Sequence, residues 1–290
     1  MEVSVGVIAH NEERNIEPLL KALLNQELNQ VKIKEIIVVS SGSTDKTNEI
    51  VGNFAKKHNK IRLIIQKERK GKYSAINHVL KTAKSDFIVQ ISADVLPDKR
   101  TFEALCKPLS DSSVGMVGGH SIPVNKPASF MGFLVNFEWQ MHHELNLLRP
   151  KFGELIAFRK VFDYLPPNSV DEEYIASIIR GKGFRMVYSP NAIVFNKGPE
   201  HFRDFVVQRR RIYSGHLFLR KKTRYSPSSM HTWLVLKAAL NAIPKNKKQI
   251  HWVILAALAE SYVRMLGFYD CYIKQRDSVI WDVAKTAKIK

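Results

Sequence analysis

The first hundred residues alternate between short apolar runs and segments in which apolar residues recur every three or four positions. Short runs rich in β-branched residues are typical of buried strands, whereas the longer spacing is typical of helices. The strand-like runs are residues 3–8, 35–39, 61–65 and 87–91. Helical patterns separate them, and such repeated strand–helix alternation predicts an α/β fold with a parallel, doubly wound sheet.

The pattern is looser beyond residue 98. Short strands are predicted near 114–119, 153–158 and 184–188, with a helix starting at Asp171. Residues 129–149 predict a helix rich in Phe, Met, Trp and His, which is either a core helix or one wall of an acceptor site.

Two apolar helical segments near the C-terminus, 233–243 and 250–268, are separated by a lysine-rich linker. The second would extend about 28 Å, nearly the thickness of a bilayer core. It carries Glu260 and Arg264, however, at the spacing of a helical ion pair. We therefore expect amphipathic helices that lie on a membrane surface or on the domain, rather than a spanning hairpin.

The expected organisation is a catalytic domain over residues 1–223 and an amphipathic helical region over 224–290, for which we expect association with a membrane surface. The net charge of +18, from 45 basic and 27 acidic residues, indicates an anionic partner such as nucleotide phosphates or an acidic membrane face. Residues 197–224 hold nine Lys or Arg. No nucleic-acid-binding motif is present, so we expect no nucleic-acid partner. Two isolated cysteines and an N-terminus without a signal-peptide pattern favour the cytoplasm.

Candidate chemistry lies where the predicted strands end. Right-handed crossovers place the carboxyl ends of parallel strands on one sheet edge, which is where α/β proteins bind ligands. Asn11, Ser41 and Asp94 follow three of these strands, and we expect them to converge. An alternative is that Asp94 only caps the next helix.

Six short motifs occur in a fixed order over residues 3–216: AHNEE, SSGSTDKT, GKYSAIN, SAD, DEE and QRRRI. This ordered set resembles the family 2 glycosyltransferases. The resemblance implies the GT-A fold, a Rossmann-like, mostly parallel sheet flanked by helices, here with a C-terminal helical extension. It also implies a UDP- or GDP-linked sugar donor, inversion of configuration, and Mg²⁺ or Mn²⁺.

The resemblance assigns roles at the donor side. Ser41 stands where the family usually has an aspartate that accepts from uracil, and Lys72 would approach the diphosphate. Asp94 matches the last aspartate of the family's metal motif, whose first aspartate is replaced by Ser92. The nucleotide-sugar-binding residues implied are Ala9, Asn11, Glu12, Ser41, Lys72, Ala93, Asp94, Gln208 and Arg210. The metal shell would be completed by Ser92, by a histidine (His216 or His201), or only by phosphate and water.

The acceptor side is implied by the acidic pair at the start of a predicted helix. Glu172 matches the general base, with Asp171 and Glu173 as alternatives, and a purely helix-stabilising role for these charges stays open. Arg211 lies in a motif that stabilises the departing diphosphate, although Ile212 replaces the family's tryptophan.

These assignments predict an inverting glycosyltransferase peripheral to the cytoplasmic face of the membrane. The expected partners are the nucleotide sugar, a lipid-linked or glycan acceptor, and an anionic membrane surface. One alternative is a soluble transferase that modifies a small molecule or a protein. Another is a catalytically weak or inactive sugar-nucleotide-binding subunit of a glycan assembly complex.

Overall fold

The computed structural model describes residues 1–275, 277, 279 and 280, which fold around a mixed sheet. Its strands are β1 Glu2–Ala9, β2 Lys32–Ser41, β3 Ile61–Gln66, β4 Phe87–Ser92, β5 Leu96–Pro97, β6 Val114–Pro123, β7 Leu155–Arg159 and β8 Arg185–Asn196. They lie side by side in the order β3-β2-β1-β4-β7-β6-β8-β5.

Helices cover the two faces of this sheet and extend beyond it at the C-terminal end. They are α1 Ile16–Leu24, α2 Thr47–Lys57, α3 Lys72–Thr82, α4 Thr101–Cys106, α5 Phe130–Leu148, α6 Asp171–Gly181, α7 Phe202–Thr223, α8 Thr232–Ala242 and α9 Ile250–Tyr272. Because α4 begins at Thr101 after the N-cap residue Arg100, Asp94 does not cap it.

The prediction of a parallel sheet is confirmed for the first four long strands. β1 pairs in parallel with β2 and β4, and β2 pairs in parallel with β3. β7 then enters antiparallel between β4 and β6, whereas β6 and β8 pair in parallel. The α/β class is therefore correct, and the sheet is mixed because β7 runs against its neighbours.

Both faces of the central strands are buried, which explains their continuous apolar runs. In β2, Val38 packs into the core under α1, α2 and α4, whereas Ile37 and Val39 pack into the core under α3 and α6. The carboxyl ends of β1, β2 and β4 consequently meet at one edge, above these two cores.

The C-terminal helices pack on α5 and α7 through a small apolar core and a charged one. The charged core, the helical ion cluster, consists of Glu138, Arg209, Glu260 and Arg264. Arg209 contacts Glu138 at 3.0 Å and Glu260 at 3.1 Å, and Arg264 contacts Glu260 at 2.7 Å. The predicted Glu260–Arg264 pair is thus present and faces the protein.

In the described part of the chain, one helical stretch, Pro244–Tyr272, has the length and mean hydropathy (1.2) to cross a membrane. Its outward face is apolar, while its inward face carries the ion pairs to α7. The expected boundary at residue 223 coincides with the end of α7. The division into two domains itself stays a prediction.

Candidate active site

A cavity of about 560 Å³ opens at the sheet edge where β1, β2 and β4 end. Its walls come from that edge, from the starts of α3 and α6, and from α5 and α7. Most of the predicted site residues line it: Ala9, Glu12, Ser41, Lys72, Ala93, Asp94, Glu172, Gln208, Arg210, Arg211 and His216. Asn11, Asp171 and His201 are not among its lining residues.

Asn11 binds a neighbouring loop instead of the cavity. Its backbone has φ +53, its Oδ1 accepts from Thr44 N at 2.8 Å, and its backbone N–H donates to Ser43 Oγ at 3.1 Å. These bonds hold Asn11 to residues 43 and 44, and its contact with the nucleoside stays a prediction. Its neighbour His10, which the sequence analysis missed, lines the cavity.

Ser41 and Glu12 reach the cavity while engaged with their surroundings. Ser41 Oγ donates to Gln66 Oε1 at 3.1 Å, and the Ser41 carbonyl accepts from His10 Nδ1 at 2.7 Å, which places the proton on Nδ1. Glu12 Oε2 accepts from Asn15 Nδ2 at 2.7 Å. Because the hydroxyl proton of Ser41 is used internally, its oxygen faces a ligand as an acceptor.

Lys72 is held at the centre of the cavity by the turn before α3. Gly71 has φ +94, a conformation that side chains rarely adopt. From there Lys72 Nζ donates to Ser92 Oγ at 3.2 Å and to the carboxylate of Glu172. Burial opposes the charge, but Glu172 raises the pKa of Lys72, so the ammonium group persists.

Asp94 follows β4 and is faced by Glu154, a residue that the sequence analysis did not identify. In the antiparallel ladder Ile91 pairs with Leu155, so the next opposing residues are Ser92 and Glu154. Burial, followed by the charge of Asp94, raises the pKa of Glu154 to about 7. The sequence shows a glutamate directly before an apolar run, and this could have marked Glu154 as a candidate. The sequence does not show that this run pairs with β4, so it could not indicate Asp94 as the neighbour.

The start of α6 presents three acids with different surroundings. Glu172 lines the cavity and binds Lys72, with 15% of its side chain exposed. Asp171 is fully buried outside the lining, and burial, then the charge of Glu172, raises its pKa to about 7. Glu173 accepts from Phe152 N at 3.0 Å and from Tyr225 Oη at 2.9 Å, which makes it structural. Of the three, Glu172 fits a general base best.

The three consecutive arginines of α7 point to three different partners. Arg211 faces the charges of Asp171 and Glu172, and burial lowers its pKa to about 10. Arg209 belongs to the helical ion cluster. Arg210 makes a bidentate pair with Asp270 of α9 while lining the cavity, and its contact with the donor stays a prediction. Arg211 is therefore the arginine placed to act on a ligand.

The buried and unbalanced charges around Lys72 form what we call the carboxylate cluster. It consists of Asp94, Glu154, Asp171 and Glu172 together with Lys72 and Arg211. Its acidic oxygens and the Ser92 hydroxyl are hard donors of the type that Mg²⁺ and Mn²⁺ prefer. The donor set at Asp94 therefore fits a divalent cation shared with a diphosphate.

Neither histidine candidate joins this donor set. His201 is exposed at the N-cap of α7. His216 is buried, and its charged neighbours are the cations Lys151, Arg209 and Arg264, which together with burial lower its pKa. Across the described residues, no three His, Cys, Asp or Glu side chains are grouped to hold a metal. His216 nevertheless lines the cavity, and a histidine in the metal shell stays a prediction.

The opposite wall of the cavity is built by α5 and the segment after it. Trp139 and His142 lie edge to face with centroids 5.0 Å apart, and both line the cavity together with Lys151. Asn146 Oδ1 accepts from Lys151 N, so Asn146 Nδ2 faces His142 Nδ1 at 3.0 Å, which leaves the proton on Nε2. Helix α5 thus serves both the core and a polar wall.

The chain belongs to glycosyl transferase family 2, whose model matches residues 4–169, more than half of its length. The probable glycosyltransferase YdaM of Bacillus subtilis (strain 168) is 27% identical over 235 residues, which are 75% of this chain and 56% of that protein. The dolichyl-phosphate beta-glucosyltransferase ALG5C of Trichomonas vaginalis (strain ATCC PRA-98 / G3) is 33% identical over 137 residues, 46% of this chain and 38% of that protein. The chain spans about half or less of these relatives.

The fold also matches a solved structure over most of its length. Mannosyltransferase PcManGT from Pyrobaculum calidifontis, in complex with GDP-Man and Mn²⁺, superposes with a TM-score of 0.68 at 22% identity. The match covers 94% of this chain and 88% of that chain. The GT-A fold expected from the motifs is thereby confirmed.

Proposed function

We propose that the protein transfers a sugar from a UDP- or GDP-linked donor to a lipid-linked or glycan acceptor, with inversion at the anomeric carbon. The observation that carries this proposal is the position of Glu172, which faces the same cavity as the donor-side residues Ser41 and Asp94. Family membership and the GDP-Man complex of PcManGT support the donor class. The dolichyl-phosphate acceptor named for ALG5C supports a lipid acceptor.

Inversion needs one displacement. The acceptor hydroxyl oxygen attacks the anomeric carbon, the bond from that carbon to the β-phosphate oxygen breaks, and the nucleoside diphosphate leaves with the electron pair. Glu172 takes the hydroxyl proton as general base. Lys72 and Arg211 stabilise the negative charge that grows on the departing diphosphate. A bound Mg²⁺ or Mn²⁺, held by Asp94, would supply further positive charge there.

The ion pair between Lys72 and Glu172 gives this base a defined resting state. Lys72 keeps the Glu172 carboxylate in the buried wall without an acceptor. A donor diphosphate competes for the same ammonium group, which would release Glu172 toward the acceptor. Donor binding thus prepares the base.

We further propose that α8 and α9 bind the cytoplasmic membrane surface peripherally. Their outward faces expose large apolar side chains, including Trp233 and Leu240, each 71% exposed, and Leu258, 61% exposed. Lysines fill the segment between the helices. An apolar face beside basic residues is the pattern of interfacial helices on anionic lipid.

Thermal denaturation against a panel of nucleotide sugars tests the donor class. With Mn²⁺ present, one UDP- or GDP-linked sugar should raise the midpoint, because a ligand at about 100 times its Kd stabilises the folded state by about 2.7 kcal/mol. ATP and CTP serve as controls. A panel without any shift would contradict the proposal.

The alternative of a binding subunit with little activity is motivated by Ser92, which replaces a metal-motif aspartate. Slow hydrolysis of the bound donor, measured by release of nucleoside diphosphate, separates the two. Release that depends on Glu172 supports a transferase, whereas tight donor binding without any release supports the subunit.

Vesicle flotation tests the membrane surface. The protein should float with vesicles that contain phosphatidylglycerol, and less so with phosphatidylcholine alone or at high salt. Leu240→Glu combined with Leu258→Glu should abolish flotation. Ile65→Glu is the matched control, because Ile65 is 58% exposed on β3. Flotation that survives the double change would contradict an apolar contact through α8 and α9.

A further inference from the structure

We propose that Glu154 is a ligand of the divalent metal and supplies, from β7, the carboxylate that Ser92 lacks in the metal motif of β4. The proposal rests on the function proposed above, because it concerns the cation bound with the donor diphosphate. It predicts a protein shell of two carboxylates, Asp94 and Glu154, taken from neighbouring strands.

The pairing of β4 with β7 brings Glu154 beside Ser92. Opposite residues of an antiparallel pair project to the same face, and Glu154 is the residue opposite Ser92. Ile91 and Leu155, one position back, both pack into the core under α1, so Ser92 and Glu154 project to the other face. That face carries Lys72 and Glu172, and Lys72 contacts Ser92 there. A carboxylate on β7 therefore replaces one on β4 without any change of fold.

The carboxylate of Glu154 lacks a protein partner in the part of the chain that the structure describes. No hydrogen bond or ion pair within 4.0 Å reaches it there, although it lines the cavity beside Asp94. Two close carboxylates repel unless a proton or a cation lies between them.

The chemistry of the pair suits Mg²⁺ or Mn²⁺. Both are hard cations that take oxygen ligands, and Mg²⁺ is usually bound by one or two carboxylates together with substrate phosphates and water. Asp94 and Glu154 match that number, whereas Asp94 by itself would leave the cation with a single protein charge. Of the acids at the start of α6, Glu172 is paired with Lys72, Glu173 binds Phe152 and Tyr225, and Asp171 does not line the cavity.

Electron paramagnetic resonance of Mn²⁺ tests the proposal independently of catalysis. The full chain is titrated with Mn²⁺, first by itself and then with GDP or UDP. Glu154→Gln, which keeps size and removes charge, should weaken Mn²⁺ binding on the order of ten- to a hundredfold, because affinity follows the number of charged ligands. Asp94→Asn should weaken it at least as much.

Glu138→Gln is the matched control. Glu138 is also a buried glutamate in the cavity wall, and burial also raises its pKa to about 7, but its charged neighbours are Arg209 and Glu260 rather than Asp94. Its Mn²⁺ affinity should equal that of the wild type. Adding Ser92→Asp to Glu154→Gln should restore binding, since it returns a carboxylate to the opposing position.

Unchanged Mn²⁺ affinity in Glu154→Gln overturns the proposal, and so does a wild-type protein that binds no Mn²⁺. If Glu154→Gln does not fold, Glu154→Asp retains the charge on a shorter side chain, and its Mn²⁺ affinity should still fall. Calorimetry of nucleotide-sugar binding, with the metal removed by EDTA, distinguishes failure of this proposal from failure of the proposed function. Donor binding without metal binding removes only this proposal, whereas absence of both removes the proposed function as well.

Discussion

The helical ion cluster and the carboxylate cluster are both at least half-buried and both use α7, but only in the first do the acidic and basic charges balance. In the helical ion cluster, Arg209 and Arg264 share Glu260, and Arg209 also pairs with Glu138. In the carboxylate cluster, four carboxyl groups face the charges of Lys72 and Arg211. A balanced buried cluster fastens helices, whereas an acidic excess marks a site that a proton or a cation must complete.

Burial also acts on the helical ion cluster. It raises the pKa of Glu138 to about 7, but the charges of Arg209 and Arg264 hold the pKa of Glu260 below its ordinary value. Burial raises the pKa values of Asp171 and Glu154 to about 7, since Lys72 and Arg211 do not compensate it. The comparison therefore predicts losses of activity in one cluster and losses of stability in the other.

The largest effect is expected for Asp94→Ala. Turnover of the donor should fall by about 10⁴-fold or more, equivalent to about 5.5 kcal/mol, because the cation and its charge on the diphosphate are lost. Release of nucleoside diphosphate measures it. Asp98→Ala, in the same loop but exposed, should be near wild type. Turnover of Asp94→Ala that persists in saturating Mn²⁺ would contradict the assignment.

Glu172→Gln should lower the rate of transfer by about 10³-fold, within the usual contribution of general base catalysis. Donor affinity, measured by calorimetry, should not fall, because the base acts on the acceptor and loss of its charge leaves Lys72 to the donor diphosphate. Glu173→Gln is the comparison, and it should affect stability more than rate. A loss of donor affinity without a slower step would argue against the base role of Glu172.

Arg209→Met should lower the free energy of unfolding by about 1–3 kcal/mol, because the half-buried Glu138 loses its ion-pair partner and Glu260 keeps only Arg264. Denaturant unfolding measures the change. Arg203→Met is the control, since Arg203 lies exposed on the same helix. Equal stability of the two variants would mean that the helical ion cluster does not fasten α7 to α5 and α9.

Asp171→Asn should stabilise the protein at high pH. The folded pKa of Asp171, about 7, exceeds that of an unfolded aspartate, so the folded state binds more protons between about pH 4 and 7. Stability therefore decreases as the pH rises through this window, and the substitution should remove about 1–4 kcal/mol of that decrease.

Denaturant unfolding at pH 5 and pH 8 measures this difference. The exposed Asp163→Asn is the control and should follow the wild type at both values. If Asp171→Asn loses as much stability between pH 5 and pH 8 as the wild type does, Asp171 is ionised in the folded protein and the prediction is wrong.

The local pattern of apolar and polar residues was sufficient to predict the central strands and many of the residues that line the cavity. The ends of β1, β2 and β4 follow from apolar runs, and right-handed crossovers align them, so Ala9, Ser41 and Asp94 meet as expected. Asn11 is not among the lining residues, since its backbone takes the left-handed conformation and its side chain binds Thr44. No apolar or polar pattern indicates that turn.

By itself, then, the sequence determined the α/β class, the family motifs and the acid pair at the start of α6. Only the tertiary structure decided that Glu154 faces Asp94, because the pairing of β4 with β7 joins residues some sixty positions apart. It also decided the roles of Arg209, Arg210 and Arg211. Successive residues of a helix point about 100° apart, and their roles depend on Glu138, Asp270 and Glu172, which distant segments bring to each side.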